Sequence, residues 1–254
     1  MVKFSLVSVL TLAFLITFSS IIIGQAEQDL VGYWPFDEGG GKETADASGN
    51  GHDGSFVGSP EWVEGKFGKA LRFDGQSSYV LIPDDAGISP TEEITLAAWF
   101  KPEVTINPAN NDYRLMSKNN DIFLLFNYEQ LGNLGFLIKD SGGANHVVHS
   151  TTREWEAGEW SHVAGTYDGK ELKIYINGEL EATAPYAGAA GSSGLDMWVG
   201  ADDLPNFFDG AVDEVRLYSA VLNDAEIKRI MDEPAAVRPE DKLTATWGET
   251  KIAN

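Results

Sequence analysis

What most constrains the fold of this chain is a long run of short apolar segments, each closed by turn chemistry. Leu172–Ile176 is the clearest: Leu172, Ile174 and Ile176 alternate with Lys173 and Tyr175, the period of a strand with one buried face. Asn177-Gly178 follows at once, a pair suited to the type I′ turn, which needs positive φ at both central residues. Leu180–Ala184 returns from that turn. The same grammar predicts strands at Leu30–Asp37, Ala70–Phe73, Tyr79–Ile82, Ile94–Phe100, Tyr113–Ser117, Ile122–Phe126 and Leu134–Ile138. It adds His146–Ser150, Trp160–Tyr167, Met197–Gly200 and a last strand from Asp209-Gly210 to Tyr218. One helix is predicted: Asn223 is its N-cap, Glu226 completes a capping box, and Leu222 staples onto Ile227. Ile227, Ile230 and Met231 form its buried stripe, and Pro234 stops it. The sum is an all-β chain: a two-sheet antiparallel β-sandwich of the jelly-roll type, with one short C-terminal helix.

The ends read differently. Lys3, the apolar run Leu6–Ile23 and the small residues of Gly24-Gln25-Ala26 make residues 1–26 a signal peptide, the alternative being an uncut membrane anchor. Residues 29–232 then form the domain, and 233–254 an extended C-terminal tail in which Trp247 is the one large side chain able to dock. Lys3 is the only charge in the leader, so its removal takes the net charge from -21 to -22. Such acidity argues against nucleic acid and anionic membranes as partners, and suits cation binding. Cysteine is absent, so a secreted or cell-surface chain of this kind must rely on a large core, helped by a metal.

Six motifs in order carry a resemblance. They are Tyr33-Trp34-Pro35-Phe36-Asp37-Glu38, Asp46-Ala47-Ser48-Gly49-Asn50-Gly51-His52-Asp53-Gly54 and Gly68-Lys69-Ala70-Leu71-Arg72-Phe73-Asp74-Gly75, then Ile94–Pro102, Trp160–Gly169 and Leu172–Gly178. With Phe207–Ser219 and the helix, the chain resembles the laminin G-like, concanavalin A-like jelly rolls of secreted bacterial proteins. The resemblance implies the fold over residues 29–232. It leaves function open, because lectins, adhesion modules, glycoside hydrolases and lyases share that fold. By their strand positions, Trp99 and Trp160 read as core aromatics and His162 as a hydrogen-bonded packing residue.

Strict alternation along the last strand puts Asp213 on the same face as Val215 and Leu217, an odd place for a carboxylate. Glucanases of the resembled fold carry Glu-x-Asp-x-x-Glu on one strand; centred on Asp213, that pattern finds Ala211 and Arg216 where the glutamates would stand. Lyases of the fold combine His, Tyr and Arg; His146 and His149 on one strand and Tyr113 and Arg114 on another could in principle converge, but single residues on separate strands are poor evidence for such a site. The expectation is therefore no catalytic residues and no enzyme activity. Related domains hold a calcium ion where the first strand, the Gly-rich loop and the last strand meet. That implies a structural Ca²⁺ with Asp37, Asn50, His52 and Asp213 as candidate ligands; the bland alternative is that Asp37 and Asp46 cap loop amides while Asp213 pairs with an arginine or accepts backbone hydrogen bonds. Polar loops with aromatic ends nominate Asp112, Tyr113, Trp155, Asn206 and Phe207 as ligand-binding residues. The expected function is a non-catalytic, lectin-like or adhesion module for a glycan or an extracellular protein. A carbohydrate-active enzyme and a purely structural surface protein are the alternatives.

Overall fold

The computed structural model describes residues 29–107, 113–118, 121–126, 132–202 and 206–234. The predicted leader, all of the tail beyond residue 234 and Asp112 lie outside the described residues. Among those residues, sixteen strands and one α-helix follow in order. They begin with β1 (Leu30–Trp34), β2 (Glu43–Thr44), β3 (Gly54–Val57), β4 (Glu61–Glu64), β5 (Lys69–Asp74), β6 (Tyr79–Ile82) and β7 (Ile94–Pro102). Next come β8 (Arg114–Lys118), β9 (Ile122–Phe126), β10 (Leu134–Lys139), β11 (Asn145–His149) and β12 (Ser161–Tyr167). The series closes with β13 (Glu171–Ile176), β14 (Glu179–Pro185), β15 (Met197–Val199), β16 (Asp209–Tyr218) and α1 (Asp224–Asp232).

The strands make two eight-stranded antiparallel sheets. Sheet A runs β14-β13-β12-β7-β16-β5-β4, with β1 also on β16; sheet B runs β11-β10-β9-β8-β15-β6-β3-β2. Between them lies one apolar core, in which Trp34, Phe36, Phe73, Phe100, Phe126, Phe136 and Phe208 are fully buried. The expected β-sandwich is thus the observed fold. Three strands escaped the sequence reading, β2, β3 and β4. They are short, half-exposed and partly polar, so no clean alternation marks them. Asn177 and Gly178 do take positive φ, 50° and 77°, as the type I′ turn demands.

β16 is the pivot of sheet A. Along one edge it pairs first with β5 through Asp209–Val212, then with β1 through Val215–Tyr218. Along the other it pairs with β7, with a bulge between Asp213 and Arg216. Glu214 sits in that bulge at φ 54°. The extra residue resets the alternation, since a one-residue slip exchanges the faces of a strand. Val212, Val215 and Leu217 all enter the core, while Asp213, Arg216 and Tyr218 turn to the outer face. The expected inward position of Asp213 beside Val215 and Leu217 is therefore corrected: its carboxylate is buried, but on the side away from the core.

α1 covers part of that outer face. Its capping box is complete, and Leu222, Ile227 and Ile230 pack on Ala97, Ala164, Tyr175 and Tyr218. The Arg216 guanidinium rises from the sheet to donate to Ile230 O and Glu233 O, satisfying carbonyls at the helix C-terminus. Trp99 Nε1 donates to Met231 O at 3.2 Å, so Trp99 seals the helix end rather than filling the inter-sheet core. Trp160, also expected in the core, is half-buried just before β12 with Lys101 Nζ 4.9 Å above its ring.

Candidate functional site

Three places gather chemistry. The first is the β4–β5 turn, Gly65–Gly68. Asp213 Oδ2 accepts the amides of Lys66 and Phe67 at 2.8 and 3.0 Å, while Asp213 Oδ1 is buried and has no hydrogen-bond partner. Burial pushes the Asp213 carboxyl up to about 7. Asp37 lies on the same turn, its Oδ1 accepting the amide of Lys69 at 2.8 Å. A β-carbon on Gly65 would stand 2.3 Å from Phe67 O, 2.5 Å from Lys69 O and 2.7 Å from Asp213 Oδ2, so only glycine fits, and three oxygens face one small space. Carboxylates and backbone carbonyls are the donor type that suits Ca²⁺, but the carboxylate oxygen facing this space is Oδ2, which already holds the Lys66 and Phe67 amides, and not the partnerless Oδ1. Beside them is a second buried group: Glu214 accepts from Tyr33 Oη at 2.9 Å and pairs with Arg216, whose guanidinium lies over the Tyr33 ring. Burial pushes the Glu214 carboxyl upward, and Arg216 opposes it.

Asn50 and His52, the other two predicted metal ligands, are elsewhere. The Asn50 carboxamide donates to Leu30 O and Val31 O. His52 Nδ1 faces Asp85 Oδ2 at 3.3 Å, and its carbonyl accepts from Trp34 Nε1. Both line a surface cleft of about 420 Å³ with Asp29, Asp85 and Ser219. The loop is folded by Asp46, which accepts the amides of Tyr33, Ser48 and His52. Among the described residues, no three His, Asp or Glu side chains gather as metal ligands. The four predicted ligands thus divide two and two. An ion on the Gly65–Gly68 turn would be held by Asp37, Asp213 and backbone carbonyls.

The third place is the outer face of sheet B. Register aligns Val147, Leu137, Phe123, Ser117, Trp198, Leu81 and Ser55 in one row across seven strands. Phe123, Leu125 and Leu137 form an apolar cluster separate from the core, with Val147 packed on it. Trp198, Leu81 and Tyr79 are half-buried. Ser117 Oγ is buried without a partner, and Arg114 Nε forms an ion pair with Asp202 Oδ2 at 2.7 Å.

Several predicted ligand residues border this face. Asn206 O accepts the Arg114 amide, Phe207 bridges to Arg114, and the Phe207 and Tyr79 rings lie 6.2 Å apart. Tyr113 is half-buried next to Arg114. Trp155 is not an exposed platform: it is 4% exposed, packs edge-on to Phe100 and Phe126, and donates from Nε1 to Gly132 O. It plugs the end of the core. The signal for Trp198 was available, since alternation between Met197 and Val199 turns it outward; Ser117 carried no signal of its own.

Among the described residues, the His, Tyr and Arg combination and the acids around Asp213 stand as follows. His149 and Arg114 share a register line but are separated by β9 and β10, about 14 Å at the usual strand spacing. His146 instead pairs with Asp140 and stacks on Tyr186. Asp213 and Glu214, 0% and 2% exposed, are closed off from any substrate.

Fold and faces together define a two-sheet jelly-roll β-sandwich of the lectin type. A family profile described as the concanavalin A-like lectin/glucanases superfamily, of laminin G kind, matches residues 74–228, and the chain belongs to that family. Pappalysin-1 of Mus musculus is 23% identical over 211 residues, a match spanning 73% of this chain and 13% of that protein. The binding domain of Paraclostridial mosquitocidal protein 1 superposes with a TM-score of 0.67 at 17% identity, covering 81% of this chain and 52% of that one. Domain 4 of AbnA, an extracellular arabinanase of Geobacillus stearothermophilus solved with arabinotriose, gives 0.63 at 22% identity, covering 80% and 98%. The receptor-binding domain of a botulinum neurotoxin C/D mosaic gives 0.62 at 13%, covering 81% and 51%. At these identities the likeness is one of fold.

Proposed function

We propose that this chain is an exported, non-catalytic module that binds a carbohydrate chain on the outer face of sheet B. One observation carries the reading. On the outer side of sheet B, Phe123, Leu125 and Leu137 are 1–5% exposed, while Trp198, Leu81 and Tyr79 beside them are half-buried and present apolar and aromatic surface to solvent. Outer faces of sandwiches alternate to polar unless something docks there. Aromatic rings stack on the C–H faces of sugars, and polar groups set orientation. The complex of the arabinanase domain with arabinotriose supports the same class of ligand. The leader-like residues 1–26 support export, and a Ca²⁺ ion held by Asp37, Asp213 and the carbonyls of Phe67 and Lys69 would stiffen the turn that locks the last strand.

A polysaccharide panel scored for both retention and released reducing ends tests the reading. Retention without release is expected, and Trp198→Ala should weaken it by about tenfold or more, the usual effect of removing an aromatic anchor. Bond cleavage on any polymer would turn the assignment to an enzyme.

A further inference from the structure

The cleft that holds Asn50 and His52 has a chemistry the sheet B face does not share. Asp29, Asn50, His52, Asp85, Gly87 and Ser219 line about 420 Å³, a volume in the range of small-ligand pockets. We infer that this cleft binds a protonated amino sugar, an ammonium group with hydroxyls on the same ring. The inference stands whether or not the sheet B face binds a glycan.

The side chains of the cleft direct their hydrogen-bond donors into the protein itself. Asn50 Nδ2 donates to Leu30 O at 2.8 Å and to Val31 O at 3.0 Å, so its carboxamide keeps only the oxygen for a ligand. Ser219 Oγ donates to Asp29 O at 3.4 Å and keeps its lone pairs. His52 Nδ1 faces Asp85 Oδ2 at 3.3 Å, and a carboxylate at one ring nitrogen holds the proton there and leaves the other as an acceptor. With Asp29 and Asp85 in the lining, what remains is acceptors and negative charge. A ligand that fits such a set must donate, and a cation that donates fits it best. The net charge of -21 adds attraction for a cation at long range.

Gly87 keeps the space before His52 open. The His52 side chain is 6% exposed, and among the described residues no hydrogen bond reaches its Nε2. A β-carbon on Gly87 would stand 3.3 Å from both Cε1 and Nε2 of that ring and 3.1 Å from Asp85 Oδ1. Gly87 lies in the 3₁₀ turn Ala86–Ile88 without a positive φ, so the backbone itself does not call for glycine there. The missing side chain leaves this edge of the imidazole, and the carboxylate beside it, facing the cleft. A divalent metal fits less well, because no three His, Asp or Glu side chains gather as metal ligands among the described residues. Polar residues outnumber Leu30 and Val31 in the lining, so the apolar stem of a lysine gains little there, whereas each hydroxyl of a sugar can donate to an acceptor.

The test is an NMR titration of the full chain with glucosamine, beside N-acetylglucosamine, glucose, Nα-acetyl-lysine methylamide and Ca²⁺ or Zn²⁺ alone. Glucosamine should shift the amide signals of Leu30, Val31, Asn50, His52, Asp85 and Gly87. N-acetylglucosamine and glucose, which lack the charge, should bind at least about tenfold more weakly. Asp85→Asn keeps the shape and removes the charge, and should weaken glucosamine by about tenfold, the worth of one charge-assisted hydrogen bond. Gly87→Ala should block the cleft and leave a folded chain. Glucosamine binding to Gly87→Ala at wild-type strength overturns the placement of the site, and equal binding of N-acetylglucosamine overturns the reading of charge. A lysine derivative bound as tightly as glucosamine turns the cleft into a site for basic side chains and overturns the amino-sugar assignment. Shifts of these signals by a metal ion alone make it a metal site, and no shift with any probe removes the site altogether. None of these outcomes touches the reading of the sheet B face.

Discussion

Asp213 on the last strand accepts the backbone amide of Lys66, 147 residues earlier in the chain, at 2.8 Å. The bond joins β16 to the β4–β5 turn at the point where β16 changes partner from β5 to β1. A strand that switches neighbours leaves backbone groups without a ladder partner, and a side-chain acceptor is one way to fill the gap. Asp213→Ala removes that acceptor and strands the amides of Lys66 and Phe67. A loss of about 2–4 kcal/mol in denaturant unfolding is expected, with glycan retention per folded molecule unchanged. An equal loss of binding in the folded variant would mean the clasp is part of the ligand site.

The neighbouring ion pair should be costlier to break than to replace. Arg216 and Glu214 are 1% and 2% exposed, and Arg216 also closes the helix through Ile230 O and Glu233 O. Arg216→Met leaves Glu214 buried and unpaired, which costs about 3–5 kcal/mol. Adding Glu214→Gln should restore part of that stability. A double variant no more stable than Arg216→Met would show that the helix contacts, and not the charge pair, dominate.

His162 supplies a pH dependence. It is 1% exposed, edge-on to Trp99, and burial holds its imidazole down at about 3, with Arg216 and Lys66 adding repulsion. The unfolded chain takes up a proton near the ordinary histidine value of 6.5, whereas the native state does not until about 3. Stability from this group is therefore complete above 6.5 and is lost as the pH falls towards 3, by several kcal/mol in all. His162→Gln should lack that component. If wild type and variant lose stability in parallel across the window, His162 is not responsible.

Calcium should raise the melting temperature, and chelation should lower it. At a free ion concentration a hundredfold above its dissociation constant the gain is about 2.7 kcal/mol. Asp37→Asn and Asp213→Asn should abolish the response. Asn50→Ala and His52→Ala should keep it, because those residues face the cleft beside Asp85 instead. A melting temperature indifferent to EDTA would sink the metal proposal.

Trp155, packed on Phe100 and Phe126, and Trp198, on β15 of sheet B, separate stability from binding. Trp155→Ala opens a cavity against Phe100 and Phe126 and should cost about 3–5 kcal/mol, with ligand affinity retained by the folded fraction. Trp198→Ala should show the reverse.

Much of this was legible in the residues. Leu172–Ile176 with Asn177-Gly178 fixes a hairpin because side-chain period and turn φ are local properties. Asn223, Glu226 and Leu222 mark a helix start for the same reason, and the capping box forms as written. Trp155 misled because an aromatic in a polar loop looks alike whether it faces water or plugs a core. Asp213 misled because alternation assumes a regular strand, and Glu214, a non-glycine residue at positive φ, gives no local warning of the bulge.

The sequence by itself determined the all-β class, the hairpins, the one helix and the absence of a paired-acid motif around Asp213, since each follows from residues a few positions apart. Tertiary structure alone decided which acids meet. It sent Asp37 and Asp213 to one turn, Asn50 and His52 to another cleft, and aligned Ser117 between Phe123 and Trp198. The physical reason is that strand register is settled by packing two whole sheets against each other. A single bulge in β16 or β8 moves every later side chain to the opposite face, and that choice is made by the core as a whole.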